Sequence, residues 1–239
     1  MTTTDGIWAL IPAGGQGRRM QSEIPKQYLP LLGRPVILHT LERLCTHPRI
    51  QGAVVGVARE DQHWPSLAAE LKRLPKFLGT CPGGETRANT VLNGLKELMQ
   101  HAKPDDWVLV HDAVRPCVRQ GDIDKLIAAA NKGGEGGLLA FPVSDTVKRV
   151  DNAGRVLETV SREGLWRAAT PQMFRINVLA QALEKAMKAG KEITDEASAM
   201  EAAGGHPHVV ACHTDNIKIT LADDLALAEL YMKQQAGKA

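Results

Sequence analysis

A glycine-rich and cationic loop follows the first apolar stretch of the chain. Residues 10–29 read LIPAGGQGRRMQSEIPKQYL, in which three glycines precede two arginines and, further on, Lys26. Without a Cβ, the backbone N–H groups of Gly14 and Gly15 can converge on an anion. Arg19 and Lys26 add the positive charge that attracts phosphate oxygens. A flexible turn with a solvated basic face is the alternative, but the glycines and cations together favour a phosphate site.

Two common phosphate-binding motifs do not fit this loop. The P-loop pattern G-x-x-x-x-G-K-[ST] is absent from the sequence. The dinucleotide-binding fingerprint requires a third small residue where Met20 stands, and the helix that it should open would be broken at Pro25. The loop therefore belongs to neither class.

A carboxylate follows another apolar run. Residues 108–116 read VLVHDAVRP, so that Asp112 stands where a buried strand should end, with Arg115 close behind it. A carboxylate at a strand end in a phosphate-binding protein is well placed to hold Mg²⁺, which takes oxygen ligands. We therefore predict a Mg²⁺ ligand at Asp112. The alternative is a carboxylate satisfied by backbone amides or paired with Arg115.

A third string, PGGETRANT at residues 82–90, contains a second pair of glycines. Gly83 and Gly84 permit a close approach of the backbone to a ligand. Thr86 also suits the cap of a helix that Arg87 begins. From this string alone, ligand contact and a plain helix start remain equally open.

Two further strings favour a structural role. In NIKIT, the alternation of a short strand places Lys218 opposite Ile217 and Ile219, which predicts an edge-strand lysine that faces water. In ITDEAS, Thr194 is predicted to cap a helix whose first turn is acidic.

Bulk composition excludes several classes of protein. The chain has 239 residues and a formal net charge of +2, which is too small for a nucleic-acid binder defined by bulk electrostatics. No apolar run approaches the roughly 20 residues of a membrane span. The N-terminus lacks the apolar region of a secretory signal, and the four cysteines form no C-x-x-C pair. We expect a cytoplasmic protein with reduced thiols and with neither a membrane nor a nucleic-acid partner.

Alternating apolar segments predict an α/β fold. Strands are predicted at Ile7–Ile11, Gly52–Ala58, Lys76–Thr80, Trp107–His111 and Gly137–Pro142. Helices are predicted between them at Val36–Thr46, Thr86–His101 and Asp122–Asn131. Such an alternation gives a Rossmann-like, mostly parallel sheet with helices on both faces. Ligands bind such sheets beyond the carboxyl ends of the strands, where the glycine loop and Asp112 stand.

Residues 143–174 depart from this pattern. The string TVKRVDNAGRVLETV alternates apolar and polar residues around an Asp-Asn-Ala-Gly turn, which predicts an exposed β-hairpin. We predict one domain over residues 1–239, with residues 143–174 as an inserted, protruding β-arm for dimerisation. The elements predicted after it are the helices Asn177–Ala189, Asp195–Ala203 and Leu221–Gln234 and a strand near His208–Cys212.

Seven strings in order resemble the 2-C-methyl-D-erythritol 4-phosphate cytidylyltransferase family. They are PAGGQGRRM with PKQY, GGETRANTV, VHDAVRPC, DTVKR, SREGLWRAATPQMF, ITDEAS and DNIKIT, and the resemblance runs from Ile7 to about Tyr231. It implies a nucleotidyltransferase of the non-mevalonate isoprenoid pathway, which joins CTP to a sugar-alcohol phosphate and releases pyrophosphate. A cytidylyltransferase for another polyol phosphate, such as ribitol 5-phosphate, and a non-catalytic nucleotide-binding module are the alternatives.

The resemblance implies a set of nucleotide-binding residues. The triphosphate loop would comprise Ala13, Gly14, Gly15, Arg19 and Lys26. The cytosine and ribose contacts would come from Gly84, Glu85, Thr90 and Ala113, beside Mg²⁺ on Asp112. Three positions depart from the family pattern: Gly14 and Val114 stand where alanine is usual, and Thr90 stands where serine is usual.

The resemblance also implies the acceptor contacts and the catalytic cations. Arg115, Thr146, Thr194 and Lys218 match the residues around methylerythritol phosphate. Arg162 matches an arginine that reaches from the β-arm to the substrate phosphate of the partner subunit, so a homodimer with shared sites is expected. Lys26, Lys218 and Arg19 would stabilise the charge on the reacting phosphate. For Lys218 this replaces the solvated strand lysine that its spacing predicts.

Overall fold

We describe the protein from a computed structural model, in which residues 5–15 and 24–237 are placed. Arg19 of the predicted triphosphate loop lies outside these described residues. The strands are β1 (Ile7–Pro12), β2 (Pro30–Leu31), β3 (Arg34–Pro35), β4 (Gly52–Val57), β5 (Phe77–Pro82), β6 (Trp107–Val110), β7 (Gly137–Pro142), β8 (Val147–Val150), β9 (Val156–Val160), β10 (Trp166–Arg175) and β11 (His208–Ala211). The helices are α1 (Val36–Cys45), α2 (Ala68–Leu71), α3 (Arg87–Leu98), α4 (Gln120–Gly133), α5 (Ile176–Lys188), α6 (Glu196–Ala202) and α7 (Ala222–Ala236).

Seven strands form one central sheet in the order β11-β7-β10-β6-β1-β4-β5. Neighbouring strands are parallel except where β10 runs antiparallel to β6 and β7. β1, β4 and β6 read IWALIP, GAVVGV and WVLV and are almost wholly buried, as expected of strands covered on both faces. The predicted mostly parallel α/β sheet is confirmed.

Alternate residues of β1 enter two separate apolar layers. Ile11 lies in the layer that contains Ile37 of α1, whereas Leu10 lies in the layer that contains Leu95 of α3. Successive side chains of a strand point to opposite faces, so α1 and α3 cover opposite faces of the sheet. α4 joins α1, and α5 joins α3, which confirms helices on both faces.

The carboxyl ends of β1 and β6 lie side by side, with Leu10 paired to Val110. This pairing brings the loop that follows Pro12 next to the turn that follows Val110. The register of two buried strands therefore positions the two strongest candidate regions of the sequence against each other.

The predicted hairpin is present as β8 and β9, which form a two-stranded sheet of their own. Asp151 closes its turn by accepting hydrogen bonds from the backbone N–H groups of Ala153 and Arg155. Nearly all side chains of both strands are exposed. From Trp166 onward the chain is part of β10 in the central sheet, so the hairpin takes up only the first half of residues 143–174.

Within the described residues, no helix combines the length and the apolar character that crossing a membrane requires.

Candidate active site

A cavity of about 200 Å³ opens beyond the carboxyl ends of β1 and β6. Its lining includes most of the predicted nucleotide-binding and catalytic residues. They are Ala13, Gly14, Gly15, Lys26, Gly84, Glu85, Thr90, Asp112, Ala113 and Lys218. The fold therefore brings together strings that are up to 205 positions apart in the chain, from Ala13 to Lys218.

Gln27 holds the described part of the glycine loop in place. It is 4 % exposed, and its Nε2 donates to the carbonyl oxygens of Ala13, at 3.1 Å, and Gly15, at 3.4 Å. The backbone N–H of Ala13 donates to the carbonyl of Gly56 at 2.7 Å. Sequence reasoning missed Gln27, although its place beside Lys26 in the string PKQY was a usable signal.

The hydroxyl of Thr90 organises the second glycine string. It accepts a hydrogen bond from Gly84 N at 3.0 Å and donates to the carbonyl of Thr86 at 3.1 Å. Thr86 caps α3, as predicted, because its hydroxyl accepts from Asn89 N at 3.1 Å. A Cβ on Gly84 would lie 2.3 Å from the Cβ of Asn89, so only glycine fits here. The string is therefore both a helix start and a wall of the cavity.

Gly14 and Thr90, two of the residues expected to depart from the family pattern, lie close together. A Cβ added at Gly14 would lie 3.3 Å from the hydroxyl oxygen of Thr90, a tight contact. The Thr90 methyl in turn packs over Gly56, where a Cβ would lie 2.5 Å from it. Glycine at position 14 and threonine at position 90 therefore fit together as a pair.

Three cationic side chains contact Asp112 at the end of β6. Its Oδ2 lies 3.0 Å from Lys218 Nζ and 3.2 Å from Arg115 Nε. Its Oδ1 lies 3.4 Å from Arg87 Nη2. Burial of Asp112 favours the neutral acid, but the three positive charges outweigh it and hold the pKa of this carboxyl well below its usual range. The pairing with Arg115 that the sequence left open is present, together with two further cations.

Lys218 does not lie on a strand, so the prediction of a solvated edge-strand lysine is wrong. Residues 217–220 have no regular secondary structure. The backbone N–H of Ile219 donates to Val114 at 2.9 Å, and the Ile219 side chain is fully buried. These contacts attach the segment to the turn after β6 and direct Lys218 to Asp112. The alternation of two isoleucines gave no signal of this long-range attachment.

A second cavity of about 280 Å³ adjoins the first and contains three of the predicted acceptor residues, Arg115, Thr194 and Lys218. Arg87, Asp112 and Lys218 line both cavities. Arg115 is held by a bond from Nη1 to the carbonyl of Asn216 at 2.7 Å. The junction of the two cavities is therefore a carboxylate surrounded by cations.

The cap of α6 differs from the prediction by one residue. Asp195, rather than Thr194, is the N-cap, because its Oδ1 accepts from Ser198 N at 2.9 Å. Its Oδ2 accepts from Gln172 Nε2 at 2.8 Å, and Gln172 Oε1 accepts from Ala197 N at 2.8 Å. Thr194 is thereby left at the mouth of the second cavity.

Arg87 and Glu196 form a partly buried ion pair that the sequence did not reveal. Both terminal guanidinium nitrogens of Arg87, Nη1 and Nη2, contact the Glu196 carboxylate, with Nη2 to Oε2 at 3.1 Å. Glu196 is 1 % exposed; burial raises its pKa, and the adjacent Arg87 opposes that rise. The two residues are 109 positions apart. The pair ties the first turn of α3 to the first turn of α6.

Two predicted residues lie outside both cavities. Thr146 and Arg162 are exposed, at the two ends of the hairpin. Arg162 Nη1 donates to the carbonyl of Ser144 within the same arm. The chain by itself does not bring these residues to the cavities.

The chain is similar to known proteins over nearly its whole length. A family model described as 2-C-methyl-D-erythritol 4-phosphate cytidylyltransferase matches residues 7–234. Proteins of that name from Hahella chejuensis and Pseudomonas aeruginosa are 47 % and 49 % identical to the chain; the alignments cover 95 % and 94 % of the chain and 93 % and 96 % of the relatives.

The fold of the chain is also similar to that of solved structures. A crystal structure of 4-diphosphocytidyl-2C-methyl-D-erythritol synthase superposes with a TM-score of 0.83 at 35 % identity, covering 97 % of the chain and 100 % of that protein. Similarity of sequence and of fold thus extends over nearly the whole chain. The chain belongs to the 2-C-methyl-D-erythritol 4-phosphate cytidylyltransferase family.

Proposed function

We propose that this chain transfers the cytidylyl group of CTP to 2-C-methyl-D-erythritol 4-phosphate. The products are pyrophosphate and 4-diphosphocytidyl-2-C-methyl-D-erythritol, a precursor in non-mevalonate isoprenoid biosynthesis. Family membership supports this reaction. The observation that carries it is the pair of adjoining cavities that share Asp112, Lys218 and Arg87. A reaction that joins two phosphates needs two neighbouring anion sites with cations at their junction.

The first cavity suits the nucleotide. Gly14, Gly15 and Lys26 on one wall would hold the triphosphate, together with Arg19. Gly84, Glu85 and Thr90, which also line this cavity, would contact cytosine, and Ala113 the ribose. The fixed loop conformations that Gln27 and Thr90 impose support this assignment, because preorganised donors need not reorder when the ligand binds.

The second cavity suits the acceptor. Arg115 would donate to its phosphate through the guanidinium hydrogens that Asp112 and Asn216 do not use, and Thr194 would bind its hydroxyl groups. The acceptor phosphate is already an anion, so it attacks the α-phosphorus without a general base. The chief obstacle is repulsion between two anions, which fixed positive charge relieves. Lys218 at the junction and Lys26 in the first cavity are placed for that role.

The residues present fit Mg²⁺. Asp112 is ionised, and its Oδ1 accepts only the 3.4 Å contact from Arg87 among described residues, so a lone pair remains for a metal. The described residues contain no group of three or more His, Cys, Asp or Glu that could hold a metal. Mg²⁺ commonly binds through one or two carboxylates plus substrate phosphates, so a single carboxylate suffices. When bound, the ion would neutralise charge on the phosphate oxygens of CTP.

The β-arm would complete the site of a partner subunit in a homodimer. Val150, Val156 and Leu157 on the hairpin are 50–62 % exposed, which is more apolar surface than a two-stranded ribbon can stabilise alone. Burial of the arm on a partner would carry Arg162 and Thr146 to that partner's acceptor cavity. The division into one domain over residues 1–239 with an inserted arm and the cytoplasmic location remain predictions.

Pyrophosphate release measured with a coupled assay tests the proposed reaction. Release should require CTP, Mg²⁺ and 2-C-methyl-D-erythritol 4-phosphate together. Absence of release above the acceptor-free control would refute the proposal, and faster release with ribitol 5-phosphate would reassign the acceptor.

Substituting UTP for CTP tests the base contacts. UTP should react with a much lower kcat/KM, because uracil offers an acceptor where cytosine offers a donor and would leave polar groups in the pocket unpaired. Equal kcat/KM values for the two nucleotides would contradict the assignment of Gly84, Glu85 and Thr90 to the base.

A further inference from the structure

His111 lies directly before Asp112 and has no assigned role. Its side chain is fully buried. Nε2 lies 3.1 Å from the carbonyl oxygen of Arg115, and Nδ1 lies 3.0 Å from the hydroxyl of Thr170. The same hydroxyl accepts a hydrogen bond from the backbone N–H of Asp112 at 3.0 Å. The imidazole thus connects, directly or through one hydroxyl, to both ends of the turn 112–115.

The donors and acceptors in these three hydrogen bonds fit one protonation state of the His111 ring. The carbonyl of Arg115 can only accept, so Nε2 must carry a hydrogen. The Thr170 hydroxyl uses one lone pair for Asp112 N, and its hydrogen needs an acceptor. Among the described residues, His111 Nδ1 is the acceptor that this hydroxyl contacts. The imidazole is therefore neutral, protonated on Nε2, and both of its nitrogens are satisfied.

The residues at the two ends of the turn 112–115 are assigned to different substrates. Asp112 lines both cavities, whereas Arg115 lines the second alone. The turn has one backbone bond of its own, from Arg115 N to Asp112 O at 3.2 Å. Its Asp112 end bonds directly to Thr170 of β10, and the imidazole links its Arg115 end to the same hydroxyl. A small displacement of such groups is enough to misalign a reacting phosphate.

We propose that His111 is a positioning residue for the transfer reaction, acting on Asp112 through Thr170 and on Arg115 directly. Nδ1 orients the hydroxyl that fixes Asp112, and Nε2 fixes the carbonyl end of the turn beside the acceptor cavity. This inference rests on the proposed function for the roles of Asp112 and Arg115, but the protonation pattern itself does not.

Two amide substitutions test the two hydrogen bonds of the His111 ring separately. In His111→Asn the side-chain oxygen takes the place of Nδ1, and the bond to Arg115 is lost. In His111→Gln the amide nitrogen takes the place of Nε2, and the acceptor for Thr170 is lost. His39→Gln is the matched control, because His39 is also buried, contacts the Leu31 carbonyl through Nε2 at 2.6 Å, and lies outside both cavities.

Steady-state kinetics with CTP and the acceptor should give opposite results for the two variants. For His111→Asn we expect the KM of the acceptor to rise about 10-fold with kcat retained, and for His111→Gln we expect kcat to fall about 10-fold with that KM retained. His39→Gln should leave both constants unchanged. Equal losses in kcat and KM for the two His111 variants would mean a merely structural histidine and would overturn the proposal.

Nitrogen-15 NMR of the imidazole tests the contact without any substrate. The His111 signals are identified as those that disappear in His111→Gln. A neutral ring protonated on Nε2 supports the proposal, and a ring protonated on Nδ1 overturns it. An inactive wild type with the Nε2–H ring would refute the proposed function and leave the hydrogen-bonded contact established, so the two failures are distinguishable.

Discussion

The junction of the two cavities holds a charged side chain buried, whereas the β-arm holds its charged side chains exposed to solvent. At the junction, Asp112 is 7 % exposed and contacts three cations from α3, the turn after β6 and the segment before α7. On the arm, Arg149 and Glu158 face each other across a hairpin with side chains 62 % and 56 % exposed. The junction is organised by the fold of one chain, whereas the arm has no such support. The comparison separates residues that can work in a lone subunit from residues that need a partner.

Removal of Lys218 should have the largest effect. Lys218→Ala deletes a fixed cation at the junction, which should lower kcat by about 10²–10³-fold. Folding should be retained, because Asp112 keeps its contacts with Arg115 and Arg87. Lys233→Ala on α7, where the lysine pairs with Glu229 at the surface, is the matched control and should be silent. An equal loss in both variants, or a change confined to the KM of CTP, would contradict a role in stabilising the transition state.

Subunit mixing tests whether the arm acts on a partner. Lys26→Ala and Arg162→Ala should each be nearly inactive as homodimers. If Arg162 acts on the partner's site, a mixed dimer has one site with both changes and one with neither, so about a quarter of wild-type activity should return after free exchange. Mixtures shown to contain heterodimers but lacking any recovered activity would place Arg162 in its own subunit's site.

The two ion pairs should differ in their contribution to stability. Glu196→Gln leaves the partly buried Arg87 without its bidentate partner and should lower the free energy of unfolding by on the order of 3 kcal/mol. Glu158→Gln breaks the exposed pair on the arm and should change little, because solvent screens it. Urea unfolding of both variants measures the difference. Similar losses of unfolding free energy in the two variants would show that the ion pair at the junction contributes no more to stability than the ion pair on the arm.

The smallest effect concerns the attachment of the segment that contains Lys218. Burial of Asp122 opposes its ionisation, but hydrogen bonds from the backbone and ring of His213 outweigh burial and lower the pKa of this carboxyl. Since the folded-state pKa is the lower one, the stabilisation is complete above the unfolded-state pKa of about 3.9 and is lost as pH falls through the folded-state value. In Asp122→Asn the free energy of unfolding should therefore depend less on pH in this range.

Urea unfolding between about pH 6 and pH 3 measures that dependence. Asp124→Asn, on the same helix but with its carboxylate 56 % exposed, is the control. An acid dependence of Asp122→Asn equal to that of the wild type would show that His213 does not anchor the segment through Asp122.

Local pattern was sufficient for those parts of the site that depend on single strands. The position of Asp112 in the cavity was predictable, because a run of apolar residues ends there and ligands bind at the strand ends of parallel sheets. Arg87 with Glu196, and the attachment of Ile219 to Val114, were not predictable, because each joins segments more than a hundred residues apart. The antiparallel strand β10 was missed for a related reason: its partners β6 and β7 decide its register, and its sequence lies directly after a hairpin.

The closeness of Gly14 to Thr90 makes the effect of a substitution at either position depend on the residue at the other. Alanine at position 14 beside Thr90 would press on a hydroxyl that cannot retreat, because its methyl is wedged over Gly56. Serine at position 90 beside Gly14 leaves only a small gap. An alanine at position 14 is therefore expected to fit better beside a serine at position 90, whose hydroxyl can rotate away from it, than beside Thr90.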